Sequence, residues 1–188
     1  MKNKMPVEFY LTVSALALGA LCTIACFIGS GLLSPVLALS FSPALLAVCI
    51  TALSFYDGKS KRNIFRASFV LFAIYFAFRL VTGNVLALLS IAAVTALFFL
   101  AGNDFRNEGA SFTSAVACAA ASVSCAVLTA ANYAPLLSGN AQTPDEALGE
   151  LFAAFFASKL SIAGYIAFDI VPIIFFAAVA VYIRKAQK

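Results

Sequence analysis

The chain is written as long apolar runs separated by short polar punctuation. Residues 7–30, 35–56, 64–82, 85–101 and 111–135 are such runs, and a further one covers 148–183. Several reach 18 residues or more, enough for a helix to cross ~30 Å of hydrocarbon. Membrane β-barrel strands are alternating segments of ~10 residues, and these runs do not alternate. The pattern predicts an all-α, polytopic integral membrane helical bundle, one transmembrane domain over residues 1–188. The link between the third and fourth runs, VTGN, is so short that these two helices must form a tight antiparallel hairpin.

The last apolar stretch is too long for one ordinary span. Just before it, TPDE at Thr143–Glu146 has the spacing of a capping box: a Thr cap, Pro in the first helical position, and Glu reaching back. A helix over 144–158 that is amphipathic and charged at both ends suits the membrane interface. Lys159 would end it, and a sixth span would then run over 160–183. The alternative is one long tilted helix. The expected layout is therefore six transmembrane helices plus one short extracytoplasmic interfacial helix.

Composition rules out a water-soluble fold of this size. The chain is 63% hydrophobic and 11% charged, against about 45–50% and about 25% in soluble domains. Charge then orients the bundle. With six spans, both termini and the 57–66 and 102–109 links share one side, which carries ten of the twelve Lys/Arg. By the positive-inside rule that side is cytoplasmic. The expectation is a multi-pass cell-membrane protein with both termini in the cytoplasm. The net charge of +4 follows from this orientation and requires no nucleic-acid partner. The first run exceeds the length of a signal-peptide core, so it reads as a retained helix.

Chemistry is narrowed further by what is missing. With no His, imidazole ligation of haem or zinc and Ser–His dyads are excluded. There is no Walker loop, dinucleotide fingerprint or GxSxG elbow, so no enzyme, cofactor or metal site is expected. Cys22, Cys26, Cys49, Cys118 and Cys125 all fall inside spans and read as small packing residues. Tyr10, Tyr56, Tyr133 and Tyr182 lie near span ends and read as interfacial anchors.

Polarity within the spans is concentrated in three places. Ser111, Ser114, Cys118, Ser122, Cys125, Thr129 and Asn132 recur at steps of three and four along the fifth span. They predict a stripe, with Ser114, Ser122, Thr129 and Asn132 as pocket-lining candidates. On the first span Ala15, Gly19, Cys22 and Cys26 form a small-residue face. Such a face suits close packing against the fifth span or docking of a partner helix. Finally, Asp169 lies ~13 Å into the sixth span at the helical rise, close to mid-membrane. A carboxylate there should be paired, protonated or facing water. Arg79, one turn short of the third span's end, is the leading partner, and Lys159 the second. Pro43 and Pro172 favour kinks.

Two function classes fit these features. One is a transport-type subunit binding a small solute or ion in a polar pocket in the outer half of the bundle. The other is a non-catalytic scaffold or assembly subunit docking partner helices. Partners would be the lipid bilayer and other membrane subunits, as a homo- or hetero-oligomer. In length, six-span layout and small-residue first span, the chain is similar to the substrate-binding subunits of energy-coupling-factor vitamin transporters. That similarity is one of layout, with no motif mapping residue by residue. It implies an ATPase module and a transmembrane coupling subunit as partners.

Overall fold

The computed structural model describes residues 6–30, 34–57, 62–103, 105–138 and 159–186, and every regular element among them is a helix. These are α1 (Val7–Ser30), α2 (Ser34–Asp57), α3 (Arg62–Val81), α4 (Ala87–Gly102), α5 (Glu108–Ser138), α6 (Lys159–Phe168) and α7 (Ile170–Ala186). The bounds match the apolar runs closely, with α5 extending beyond its run at both ends. Five stretches are long and apolar enough to cross a membrane, α6 and α7 together forming the fifth. The other, α4, has 16 residues, or ~24 Å at the helical rise. The expected interfacial helix over 144–158, with its capping box, lies outside the described residues.

The helices close into a ring. Each of α1 to α5 packs on its neighbour in sequence, and α6 and α7 complete the circle between α5 and α1. Contacts at one end fix the directions of travel. There Phe9 of α1 meets Tyr56 of α2, Phe65 of α3 meets Phe105 after α4, and Tyr182 of α7 meets Phe55 and Phe65. Lys185 Nζ reaches Glu8 Oε2 at 2.7 Å across the same end. The described chain therefore begins and finishes at one end, which also carries Arg62, Arg66, Arg106 and Arg184; we call it the basic end.

Aromatic side chains fill the ring's centre. Phe65, Phe69, Phe72 and Phe76 of α3 are buried, one helical face at steps of three and four. They meet Phe175 and Phe176 of α7, with Phe72 and Phe175 centroids 4.5 Å apart. Phe41 of α2 stacks on Phe168 at 3.9 Å. Outward positions such as Leu21, Ile28, Leu53 and Phe99 are exposed, as expected of surfaces that face lipid tails.

Two expectations need correction. The small face of α1 is buried inside the bundle, but against α6 and α7 rather than α5. A Cβ on Gly164 would lie 2.9 Å from the Cys22 carbonyl oxygen and 3.0 Å from Cys26 Sγ, so glycine sets the α1–α6 approach. Ser161 Oγ donates to the Cys26 carbonyl at 3.1 Å, and Cys26 Sγ donates to the Ser161 carbonyl at 3.4 Å. Tyr133 is buried and is not an interfacial anchor, whereas Tyr10 and Tyr56 are exposed. Pro43 lies within α2 without interrupting it. The sixth span does break, at Asp169. The break puts Pro172 in the first turn of α7, where its missing N–H has no helical partner to lose.

Candidate functional site

Arg79 and Asp169 meet in the interior. Arg79 Nη2 is 2.5 Å from Asp169 Oδ1, and each side chain is no more than 3% exposed. The guanidinium comes from the last turn of α3, the carboxylate from the break between α6 and α7. Tyr75, four residues before Arg79, lies on the same face of α3. Its hydroxyl donates to Asp169 Oδ1 at 2.5 Å and accepts from Arg79 Nε at 2.9 Å. The three side chains thus form a closed triangle, with both donors converging on one carboxylate oxygen.

The break supplies a further ligand for the arginine. In an unbroken helix the Asp169 N–H would bond the Tyr165 carbonyl. Here it turns to Ile166 O at 3.3 Å, and the Tyr165 carbonyl accepts from Arg79 Nη2 at 3.0 Å. The guanidinium carbon also sits 3.9 Å from the centroid of the Tyr165 ring. That cation–π contact is strengthened by desolvation. Phe41 flanks the arginine and Phe168 flanks Tyr75.

Above this centre, towards the end opposite the basic one, lies a second polar layer. Tyr165 Oη and Thr82 Oγ1 are 3.0 Å apart, and Tyr133 Oη donates to the Thr82 carbonyl at 3.2 Å. Asn84, in the α3–α4 turn, donates to the Cys125 carbonyl at 2.8 Å and to Thr129 Oγ1 at 2.9 Å. This layer ties the α3–α4 hairpin to α5 and α6. It leaves the Asn84 Oδ1 atom buried with no hydrogen-bond partner among the described residues.

The pair itself is incomplete. Arg79 Nη1 and Asp169 Oδ2 are both buried without a hydrogen-bond partner among the described residues. An unmatched donor and acceptor in a low-dielectric interior are costly. Chemically the site offers one N–H donor and one carboxylate acceptor on a centre whose formal charges cancel. It is equipped for a small polar or zwitterionic group, or for an ion exchanging against one member of the pair.

The remaining predicted residues sit elsewhere. Lys159 is exposed at the first residue of α6. Ser122 is buried but bonds the Cys118 carbonyl of its own helix at 2.8 Å. Thr129 bonds the Cys125 carbonyl and Asn84. Ser114 is half-buried and Asn132 exposed, since the buried row runs through 111, 115, 118, 122, 125, 129 and 133 and leaves both to one side. Ala15, Cys22 and Cys26 are buried, and a Cβ on Gly19 would meet Leu45, Val171 and Phe168. Sequence reasoning missed Tyr75, Tyr165, Thr82 and Asn84. A signal was present for two of them: YFAFR and YIAFD each place a tyrosine four residues before the buried charge.

No group of three or more His, Cys, Asp or Glu among the described residues could hold a metal ion. The fold and site define a class: a helical membrane bundle with a buried arginine–aspartate–tyrosine centre inside its span region. No protein-family model, curated protein or solved structure matches the chain.

Proposed function

We propose that this protein is a transport-type membrane subunit that binds a small solute or ion at the Arg79–Asp169–Tyr75 centre. One observation carries the reading: the buried pair keeps one guanidinium nitrogen and one carboxylate oxygen unmatched. A pair that served only to hold helices together would be more stabilising with every group satisfied. Intramembrane ionisable groups mark solute and ion paths, and interrupted helices are where transporters hold their cargo. Orientation follows from charge. With the basic end in the cytoplasm of a cell-membrane protein, Arg79 and its tyrosines lie in the outer half. The bilayer is the immediate partner, and further membrane subunits would supply the energy. Nucleic-acid binding and catalysis form no part of this role.

A scaffold role is favoured by a different observation. Tyr75, Phe41, Phe168 and Tyr165 surround the pair closely, as expected if it only fixes the register of α3 against α6 and α7. The two readings separate on what the protein carries. Purified without overexpression and analysed by mass spectrometry, the wild type should retain a small solute, and the folded Asp169→Asn variant should lose it. A wild type that carries only protein subunits, with Asp169→Asn unchanged in activity, would sink the transport reading.

A further inference from the structure

A second polar site lies at the basic end, away from the ion pair. The first residue of α3, the last turn of α4 and the α4–α5 link enclose a recess of about 430 Å³. Its walls are Arg62, Leu100, Gly102, Asn103, Arg106 and Asn107. That volume falls in the range of small-molecule sites, about 300–1,000 Å³. Arg62, Asn103, Arg106 and Asn107 are exposed, so the two guanidinium groups and two amides are available to a ligand. Two of the six wall residues, Arg62 and Arg106, are basic and none of the six is acidic.

The recess is built rather than incidental. Phe105 adopts a left-handed conformation, φ 55°, unusual for a residue with a side chain. Its ring packs on Phe65 at 5.5 Å, which pins the link to the start of α3. Asn107 caps α5, its Oδ1 accepting from the Ala110 N–H at 3.4 Å. Arg66, one turn into α3 from Arg62, lays its guanidinium over Phe98 at 4.4 Å, and its Nε is buried without a hydrogen-bond partner among the described residues. The end of α4 adds apolar surface next to the recess: Leu100 forms part of the wall, and Phe99, the residue before it, is 67% exposed.

We propose that this recess binds the phosphate headgroup of an anionic phospholipid. Arg62 and Arg106 hold the phosphate oxygens through charge-assisted hydrogen bonds. Asn103 and Asn107 bond the headgroup's hydroxyls, and the acyl chains run along α4 past Phe99. A free phosphate would use the same arginines but gain nothing from the apolar surface. The commitment is therefore to the lipid.

The test uses the full chain in detergent, equilibrated with an equimolar mixture of phosphatidylglycerol and phosphatidylcholine and read by native mass spectrometry. Phosphatidylglycerol should be retained in about tenfold to thirtyfold preference, the scale for two arginines acting on an anionic headgroup. Arg62→Gln/Arg106→Gln should abolish that preference, and Arg184→Gln, at the same end but outside the recess, should keep it. All three side chains are exposed, and equal thermal midpoints would verify that the variants fold. Equal retention of both lipids, or preference surviving the double variant, would overturn the proposal. So would displacement of the lipid by excess inorganic phosphate, which would mark a site for the free ion.

Discussion

Removing the carboxylate of Asp169 should destabilise the bundle far more than its single side chain suggests. Asp169→Asn keeps the shape and one carbonyl acceptor for the Tyr75 hydroxyl but leaves Arg79 charged and buried, at 2% exposure. Breaking a buried pair from one side costs about 3–5 kcal/mol. For a chain of this size that lowers the thermal midpoint by ~6–20 °C. The double variant Asp169→Asn/Arg79→Gln removes the orphaned charge together with its partner. Replacing both members of a buried pair is often near neutral, so the double variant should recover most of the loss. The coupling energy, the two single losses summed less that of the double, should be at least about 3 kcal/mol, well above the usual additivity error of about 0.5 kcal/mol. The assay is thermal unfolding in detergent micelles, followed by circular dichroism, for wild type, both single variants and the double. Two single losses that simply add in the double would refute direct coupling between Arg79 and Asp169. Because a solute-binding centre and a register-fixing pair both predict coupling, this cycle tests the geometry and leaves function to the copurification experiment.

Three other measurements probe the frame around the site. Tyr165→Phe loses the hydroxyl and its contact with Thr82, about 0.5–1.5 kcal/mol; Tyr165→Leu should cost more, because the ring under the Arg79 guanidinium goes too. Equal losses would mean that the cation–π contact contributes nothing. Gly164→Ala should destabilise by about 1–3 kcal/mol through overpacking, because its Cβ would meet the Cys22 backbone oxygen at 2.9 Å. Gly19→Ala should be milder, its closest neighbour being the movable tip of Leu45; the reverse order in unfolding midpoints would contradict the α1–α6 packing. Asn84→Ala removes two donors from the α3–α4 turn to α5 and should cost about 1–3 kcal/mol, visible as faster amide exchange in the turn at 82–86.

The spans were legible because hydrophobic length is a one-dimensional property. A run that must bury its backbone polar groups in hydrocarbon has to be a helix, and the polar links set its limits. Direction was legible in the same way, since an even number of crossings returns the chain to its starting end, as the Glu8–Lys185 contact shows. Asp169 was conspicuous as a carboxylate in an apolar run, and Arg79 was its nearest cation by depth. Neighbours in the ring were not legible. The small face of α1 could serve any close partner, and only the closed circle assigned it to Gly164 and Ser161 rather than to α5. The fifth-span stripe showed the same limit. Its periodicity was real, but its hydroxyls bond within α5 or to Asn84, at a distance from the ion pair.

What the sequence determined, then, was the class of object: an all-helical membrane bundle, its crossing segments, and two charges too costly to leave alone. Tertiary structure decided how that cost is met. It broke the sixth span at Asp169, in the turn that Pro172 disrupts, handed the Tyr165 carbonyl to Arg79, and set Tyr75 between the two charges. The reason is physical. Apolar length acts through the solvent and can be read residue by residue, whereas a buried charge is satisfied by groups that chain folding brings from four helices away.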